Sequence, residues 1–214
     1  MFMRIKKWLA FAFIAALVAG PAAAQIQAGR DYKPLASPQT VESGDKIEVV
    51  EFFWYGCPHC FDLEPFLRKW TAQLPADVTF RRIPAIPTQR WAPNARTFYT
   101  LETLGLLDRL HGEVFDAVHI DRVNFDNEMV QLDWMTRHGV DRAKFSEAWR
   151  SFSVQSKTRR AAQLTQAYDV NGVPTLIVDG KYQTSVSMTG SPEALMKTLD
   201  ELIVKARAER PKKK

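Results

Sequence analysis

Hydrophobic and polar positions follow two different periods in the first half of this chain. Residues 47–55 are almost all β-branched or aromatic, which is typical of a strand covered on both faces. From residue 58 to 74, apolar side chains recur at helical spacing, and Pro65 predicts a kink there. Residues 78–83 predict a second strand. The pattern therefore begins as strand, helix and strand, with Gly56 at the first break.

A purely helical pattern follows. Residues 93–168 show helical spacing and predict four or five helices with no strand among them. Asp126 and Asp141 are predicted N-caps, since a carboxylate there accepts hydrogen bonds from the first helical turn. The predicted breaks fall near Gly105, residues 120–125 and Gly139-Val140. This block therefore interrupts the alternation of strands and helices.

The last part of the chain predicts a hairpin and a helix. Residues 174–178 read as a short strand, Asp179-Gly180 as a hairpin turn, and residues 181–186 as the return strand. Ser191 is predicted to cap the last helix, with Pro192 in its first position. Without the helical block, these elements form a small sheet flanked by helices.

The first 24 residues predict a cleavable secretory signal. Basic residues within positions 4–7 precede an uncharged apolar run of about 13 residues, and small residues fill positions 21–24. A membrane anchor is the alternative, but a span needs roughly 20 apolar residues. We therefore predict cleavage after Ala24. Residues 25–44 are rich in proline and polar residues and predict an arm that could carry an edge strand.

The net charge of +5 belongs mainly to the ends of the chain. Three of the 29 Lys and Arg residues leave with the signal, which lowers the balance against 24 Asp and Glu residues to +2. The three lysines at residues 212–214 carry more positive charge than this remaining balance of +2. Nucleic-acid binding needs a basic face on the fold, so we expect no nucleic-acid partner.

The chain contains only two cysteines, Cys57 and Cys60, where a buried strand is predicted to turn into a helix. A helix N-terminus stabilises a thiolate, so the pKa of Cys57 should fall below the free value of about 8.5. His59 adds to this effect if it is protonated or donates to the sulfur, and Pro58 fixes the backbone. Cys60 should point inward as the resolving thiol. We therefore predict a redox centre.

Two other interpretations of the cysteine pair remain open. A structural disulfide would rarely close so tight a loop in a chain with no other cysteine. A zinc site needs about four ligands, and His111, His119 and His138 are scattered along the sequence. We expect these histidines to be surface residues, and we expect no metal and no cofactor.

Glu51 is a further candidate for the chemistry. It shares a strand face with Ile47, Val49 and Phe53, so we predict that it is buried. An unpaired buried carboxylate has a raised pKa, and near Cys60 such an acid could exchange a proton with the thiol. The alternative is a tolerated polar residue that reaches solvent at the edge of the sheet.

Residues 51–60, EFFWYGCPHC, together with GVPT at residues 172–175, resemble the DsbA family of the thioredoxin superfamily. The resemblance covers nearly all of the chain after the signal. It implies an α/β thioredoxin fold, a central mixed sheet flanked by helices, with an inserted all-α domain. Residues 25–87 and 170–214 would form the two parts of the thioredoxin-like domain, and residues 88–169 the insert. Some members carry a second cysteine pair, which this chain lacks.

The resemblance also implies the activity. It predicts a periplasmic thiol:disulfide oxidoreductase that donates the Cys57–Cys60 disulfide to exported proteins through a mixed disulfide on Cys57. Its partners would be folding proteins with free thiols and a membrane reoxidant, quinone-linked and resembling DsbB, and we expect a monomer. The alternatives are a disulfide reductase or isomerase on the same fold, and a non-enzymatic binding or metal-storage module.

Four further residues are predicted to contact the substrate. A bond such as Val173–Pro174 is usually trans at the start of a strand, but the resemblance implies that this one is cis and lies against Cys57. The backbone of Val173 could then pair with an extended substrate. Trp54 and Tyr55 are expected to be exposed beside Cys57, where the strand ends.

Overall fold

A mixed five-stranded sheet lies at the centre of the computed structural model, which describes residues 25–210. Its strands are β1 (Lys33–Pro34), β2 (Ile47–Phe53), β3 (Val78–Pro84), β4 (Thr175–Val178) and β5 (Tyr182–Thr184), in the spatial order β1-β5-β4-β2-β3. β2 pairs in parallel with β3 and antiparallel with β4, so it lies inside the sheet. Every residue of β2 is buried, which confirms the prediction of a strand covered on both faces. The predicted signal and the basic tail lie outside the described residues.

One face of the sheet packs against two helices. These are α1 (Pro58–Thr71), which continues through Pro65, and α8 (Pro192–Glu209). Ile47 and Val49 of β2 enter this core. Their helical neighbours in the cluster include Leu63, Leu67 and Trp70 of α1 and Leu195, Leu199 and Leu202 of α8. Burying such side chains stabilises the fold by about 1.5–3 kcal/mol each.

Five helices form the insert between β3 and β4. They are α2 (Ala92–Thr103), α3 (Leu107–His119), α4 (Glu128–Arg137), α5 (Arg142–Arg150) and α6 (Phe152–Ala167). A core cluster joins Val50 and Phe52 of β2 to Phe98 and Phe115 of the insert, so the insert and the sheet share buried surface. The helical pattern in the sequence is confirmed, while the domain limits at residues 87/88 and 169/170 stay predictions. No helix within residues 25–210 is long and apolar enough to cross a membrane.

Local hydrogen bonds explain where the insert's helices begin. Asp141 caps α5 as predicted, because its side chain accepts from the backbone N–H of Lys144 at 2.8 Å. The prediction of Asp126 as a cap is wrong by one residue, since the side chain of Asn127 accepts from the first turn of α4. Asp126 instead accepts from the side-chain amide of Asn94. Asn and Asp cap helices about equally well, so the sequence could not separate these neighbours.

The predicted hairpin and final helix are present. Residues 179–181 join β4 to β5, and within them Asp179 and Gly180 have φ angles of 53° and 63°, as a type I′ turn requires. The return strand is shorter than predicted, because the chain turns into a short helix, α7 (Val186–Thr189), after β5. Ser191 caps α8 by accepting from the N–H of Ala194 at 3.1 Å.

Candidate active site

Both cysteines lie where β2 turns into α1. Cys57 is the N-cap of α1, and Pro58 occupies the first helical position. The N–H of Cys57 donates to the carbonyl of Trp54 at 3.0 Å, which closes the turn after the strand. The N–H groups of Cys60 and Phe61 both donate to the Cys57 carbonyl at 3.1 Å. The strand, turn and helix predicted from the sequence therefore place Cys57 at the positive end of a helix.

The two cysteines differ in access and in acidity. Both are free thiols; Cys57 is 8% exposed and Cys60 is 0% exposed. A hydrogen bond from the Cys60 thiol lowers the pKa of Cys57 to about 6 against the effect of burial, with smaller help from the backbone N–H groups of Cys60 and His59 and the charge of His59. Burial raises the pKa of Cys60 well above its ordinary value. At neutral pH the arrangement therefore favours a thiolate at Cys57 and a thiol at Cys60. No group of three or more metal-binding side chains occurs within residues 25–210.

The second motif meets the first at the Cys57 sulfur. The Val173–Pro174 bond is cis, and the Cys57 thiol donates to the carbonyl of Val173 at 3.4 Å. These two residues are 116 positions apart in the sequence. Thr175 supports the loop, because its hydroxyl donates to the carbonyl of Gly172 at 2.7 Å. The fold thus brings together the two segments that the resemblance singled out.

A groove of about 700 Å³ lies beside this contact. The cis-proline loop forms one part of its wall, α1 contributes His59, and the region around α7 contributes Met188. The wall includes Lys33, His59, Val173, Pro174 and Met188. An extended peptide placed there would run along the cis-proline loop, whose Val173 carbonyl contacts the Cys57 sulfur.

Glu51 is buried, as predicted, with 1% exposure, but it is not unpaired. Arg82 lies opposite it in the parallel register of β2 and β3, and the Arg82 Nε donates to Glu51 at 3.1 Å. Arg82 also donates to both carboxylate oxygens of Glu64 at 2.8 and 2.9 Å. Burial raises the pKa of Glu51 to about 8 despite the guanidinium. The alternative of a residue at the sheet edge is wrong, because β2 lies inside the sheet.

Tyr55 is fully buried, so the expectation that it is exposed beside Cys57 is wrong. Helix α3 of the insert covers it from two positions. His111 Nδ1 lies 2.8 Å from the Tyr55 hydroxyl, and His119 Nε2 lies 2.8 Å from the Tyr55 carbonyl. His111 is itself buried, which corrects its prediction as a surface residue. The sequence suggested an exposed position at the end of β2, because it does not show that α3, which follows later in the chain, covers Tyr55.

Trp54 is half-buried, and its indole stacks on Trp91 with ring centres 4.3 Å apart and an interplanar angle of 14°. Gly56 makes room for this ring, since a Cβ on that residue would lie 2.3 Å from the indole. Trp91, in a short 3₁₀ helix (Gln89–Trp91) before α2, was missed by the sequence reasoning. Part of Trp54 still borders the redox turn, but one face of its ring is covered.

The chain is similar, in sequence and in structure, to proteins of a known family. Residues 83–201 match the model of the DSBA-like thioredoxin domain. The thiol:disulfide interchange protein DsbA of Pseudomonas aeruginosa is 41% identical over 85% of this chain and 86% of its own length. Its crystal structure aligns with a TM-score of 0.82 over 86% of this chain and 95% of that chain. The oxidoreductase NmDsbA1 from N. meningitidis, 30% identical, aligns with a TM-score of 0.78 over 86% and 95%.

Proposed function

The chain belongs to the DsbA family and is a thiol:disulfide oxidoreductase, and from this premise we propose that Cys57 is the sulfur through which it passes a disulfide to other proteins. The asymmetry of the two thiols carries this proposal. Cys57 keeps 8% exposure and a pKa lowered to about 6, mainly by the Cys60 thiol, whereas Cys60 is completely buried. A substrate can therefore reach one sulfur and not the other.

The exchange proceeds in two displacements. A substrate thiolate attacks Cys57 of the Cys57–Cys60 disulfide, the S–S bond breaks, and Cys60 leaves with the electron pair and takes up a proton. A second thiolate of the substrate then attacks the substrate sulfur of the mixed disulfide, and Cys57 leaves as a thiolate. The substrate loses two electrons and gains a disulfide, and the enzyme becomes a dithiol. A stable thiolate is a good leaving group, so the lowered pKa of Cys57 favours this direction.

Glu51 is proposed as the group that exchanges the proton with Cys60. Its pKa, raised by burial to about 8, lies close enough to neutrality for it to give and take a proton under working conditions. Its charge is also one of the causes that raise the pKa of Cys60, after burial and the contact with Cys57. The buried thiol has no exposure of its own, so a neighbouring acid is the natural donor when Cys60 leaves.

Substrate binding is proposed along the groove at the cis-proline loop. The carbonyl of Val173 already contacts the Cys57 thiol, and a substrate strand paired with this backbone would bring its own sulfur to the same place. Backbone pairing reads little of the substrate's sequence, which suits an enzyme with many substrates. The uncovered part of Trp54 and the ring of Pro174 would border the bound peptide, while the buried Tyr55 would not touch it.

The setting of the reaction is proposed from the sequence pattern and the family. A cleaved signal at residues 1–24 would deliver the protein to the periplasm, where exported proteins with free thiols are its substrates. A membrane protein resembling DsbB and linked to quinones would reoxidise the dithiol. We propose that the enzyme acts as a monomer.

The equilibrium of the purified protein with glutathione tests the direction of this function. We expect a reduction potential less negative than the cytosolic glutathione range of about −220 to −260 mV. In parallel, the oxidised protein should convert the thiols of a reduced, unfolded substrate protein to disulfides in stoichiometric amounts. A potential more negative than that range, with no oxidation of the substrate, would make the protein a reductase.

A further inference from the structure

A line of polar side chains runs from the redox centre into the helical insert. Glu51 and Glu64 share the guanidinium of Arg82, and Glu64 lies next to His111 of α3. His111 in turn contacts the hydroxyl of Tyr55. The line thus begins at Glu51, whose charge helps to raise the pKa of Cys60, and ends on a histidine of the insert that the proposed reaction does not use.

His111 has an unusual environment for a buried residue. It is 7% exposed, and aromatic rings of Phe53, Phe98 and Phe115 pack around it. Its Nε2 atom is buried without a hydrogen-bond partner and lies 3.6 Å from a carboxylate oxygen of Glu64, beyond hydrogen-bond distance. A cavity of about 570 Å³ adjoins the ring, so water can deliver a proton to this side.

The charges around His111 are nearly balanced. Burial lowers the pKa of its imidazole although the neighbouring Glu64 raises it, and this favours the neutral ring. The carboxylate of Glu64 keeps a lowered pKa although burial opposes it, because His111 and Arg82 lie beside it. The charged groups that line the same cavity are Glu64 and Arg68 of α1, Arg81 and Arg82 of β3, Glu102 of α2, and Asp108, Arg109, Glu113 and Asp116 of α3. When Glu51 is protonated, the negative charge of Glu64 and the positive charge of Arg82 balance each other.

We propose that His111 is a positioning residue for proton transfer at Cys60, taking up a proton from the cavity when Glu51 gives its own proton to the leaving sulfur. This inference rests on the proposed role of Glu51. Loss of that proton leaves Glu51 and Glu64 both negative around a single guanidinium. A proton on His111 Nε2 then faces Glu64 and restores neutrality.

The proton count of this step is balanced. One proton moves from Glu51 to the Cys60 sulfur, and one moves from water in the cavity to His111. In the neutral ring the proton is on Nδ1, which donates to the Tyr55 oxygen, so Nε2 is free to take the second proton and the contact with Tyr55 keeps its direction. When Cys60 later returns its proton to Glu51, His111 releases one to the cavity. The insert would thus tune the redox site without touching either sulfur.

The pH profile of a single step tests the inference. The mixed disulfide of Cys57 with glutathione is prepared, and release of glutathione by Cys60 is followed in stopped flow between pH 5 and 9. In the wild type the rate should rise with the ionisation of Glu51. In His111→Asn, which keeps a polar atom near Tyr55 but cannot titrate, the inflection should move up by about half to one pH unit. Directly opposed charges shift a pKa by about 1–3 units, and here Arg82 and Glu64 lie between.

Two matched variants distinguish an effect of the titration of His111 from a purely structural effect of the contacts between α3 and Tyr55. Tyr55→Phe removes the hydroxyl contact but leaves the imidazole able to titrate, and His119→Asn removes the other contact between α3 and Tyr55. Both should keep the wild-type inflection. An unmoved inflection in His111→Asn, or the same shift in all three variants, would overturn the inference.

The role of Glu51 is tested separately in Glu51→Gln. If this variant keeps the wild-type profile, the proposed role of Glu51 fails; if it loses the inflection while His111→Asn does not shift it, only the inference about His111 fails. A direct readout needs no variant of His111. Its imidazole signals by NMR should show a further step in the reduced wild type where Glu51 ionises, near pH 8, and this step should be absent from reduced Glu51→Gln; a wild type without it would contradict the coupling.

Discussion

At the scale of single residues, one helical turn makes two chemically identical side chains behave differently. Cys57 caps α1 and receives hydrogen bonds on its sulfur, whereas Cys60 lies one turn further on, inside the core. The sequence was sufficient for this distinction, because a strand followed by Cys-Pro-X-Cys fixes which cysteine meets the helix N-terminus. It was not sufficient for Glu51, whose partner Arg82 lies on a different strand.

The first prediction concerns the division of labour between the thiols. Cys57→Ser should abolish thiol–disulfide exchange, because the only reachable sulfur is lost. Cys60→Ser should leave a Cys57 that forms long-lived mixed disulfides, since no thiol remains to resolve them. Mass spectrometry after incubation with glutathione disulfide measures the adducts. Rapid adduct formation on Cys60 in the Cys57→Ser variant would reverse the assignment.

The second prediction concerns His59, which is exposed at the start of α1. Its charge is the smallest of the causes that lower the pKa of Cys57, after the Cys60 thiol and the backbone N–H groups. His59→Ser should therefore raise that pKa by less than about one unit, which corresponds to less than about 30 mV. Thiolate absorbance against pH measures the shift. His138→Ser, which removes a ring stacked on Trp134 in the insert, is the control and should leave the titration unchanged.

At the scale of helices and strands, the repeat of apolar positions along the sequence predicted the elements that pack into the core. β2, α1 and α8 were visible because their apolar positions repeat with the period of a strand or a helix over many residues. Shorter features depended on contacts that the pattern does not contain. β5 ends early because α7 follows it, and Tyr55 is buried because α3 covers it. The errors therefore concerned where an element ends and which other element covers it.

The third prediction concerns the turn between β2 and α1. Gly56→Ala would place a Cβ 2.3 Å from the Trp54 indole, so the ring must leave its stack on Trp91. We expect a loss of stability of about 1–3 kcal/mol, as for other overpacked sites, and a changed near-ultraviolet circular dichroism of tryptophan.

Gly112→Ala is the matched control for this substitution. Gly112 lies within α3, and nothing stands within 4 Å of the position of its Cβ. Alanine is favoured over glycine inside a helix by about 1 kcal/mol, so this variant should be as stable as the wild type or more so. Denaturant unfolding compares the two variants. Equal stability and an unaltered tryptophan signal in Gly56→Ala would show that the turn has room for a methyl group.

At the scale of the whole molecule, redox state and stability are coupled. Closing a loop of about four residues stabilises the oxidised form by roughly 2 kcal/mol through the entropy of the unfolded chain. The reduced form gains from the Cys57 thiolate, whose pKa the Cys60 thiol, above all, lowers in the folded protein. A depressed pKa contributes stability that is complete above the unfolded value of about 8.5 and is lost as the pH falls through about 6.

The fourth prediction follows from these opposing effects. Relative to the oxidised form, the reduced protein should gain up to about 1.4 kcal/mol per pH unit between pH 6 and 8.5, and less where solvent screens the sulfur. At pH 7 the thiolate outweighs the loop only with a folded pKa below about 5.6, so we expect the two stabilities to become equal at slightly alkaline pH. Denaturant unfolding of both forms at several pH values measures the gap. If the difference in stability between the two forms does not change with pH, the Cys57 thiolate does not cause it.

The position of the insert has a consequence for the order of events during synthesis. β2 must bond to β4, yet the whole helical block separates these two strands in the sequence. The N-terminal half therefore leaves the ribosome with its central strand lacking one neighbour, and contacts between distant segments form slowly. Until this last part of the chain is made, no carbonyl of Val173 meets Cys57, although α3, which covers Tyr55, is already present. A nascent chain accordingly lacks the cis-proline side of its active site, and the site is complete only when the last quarter of the chain has been translated.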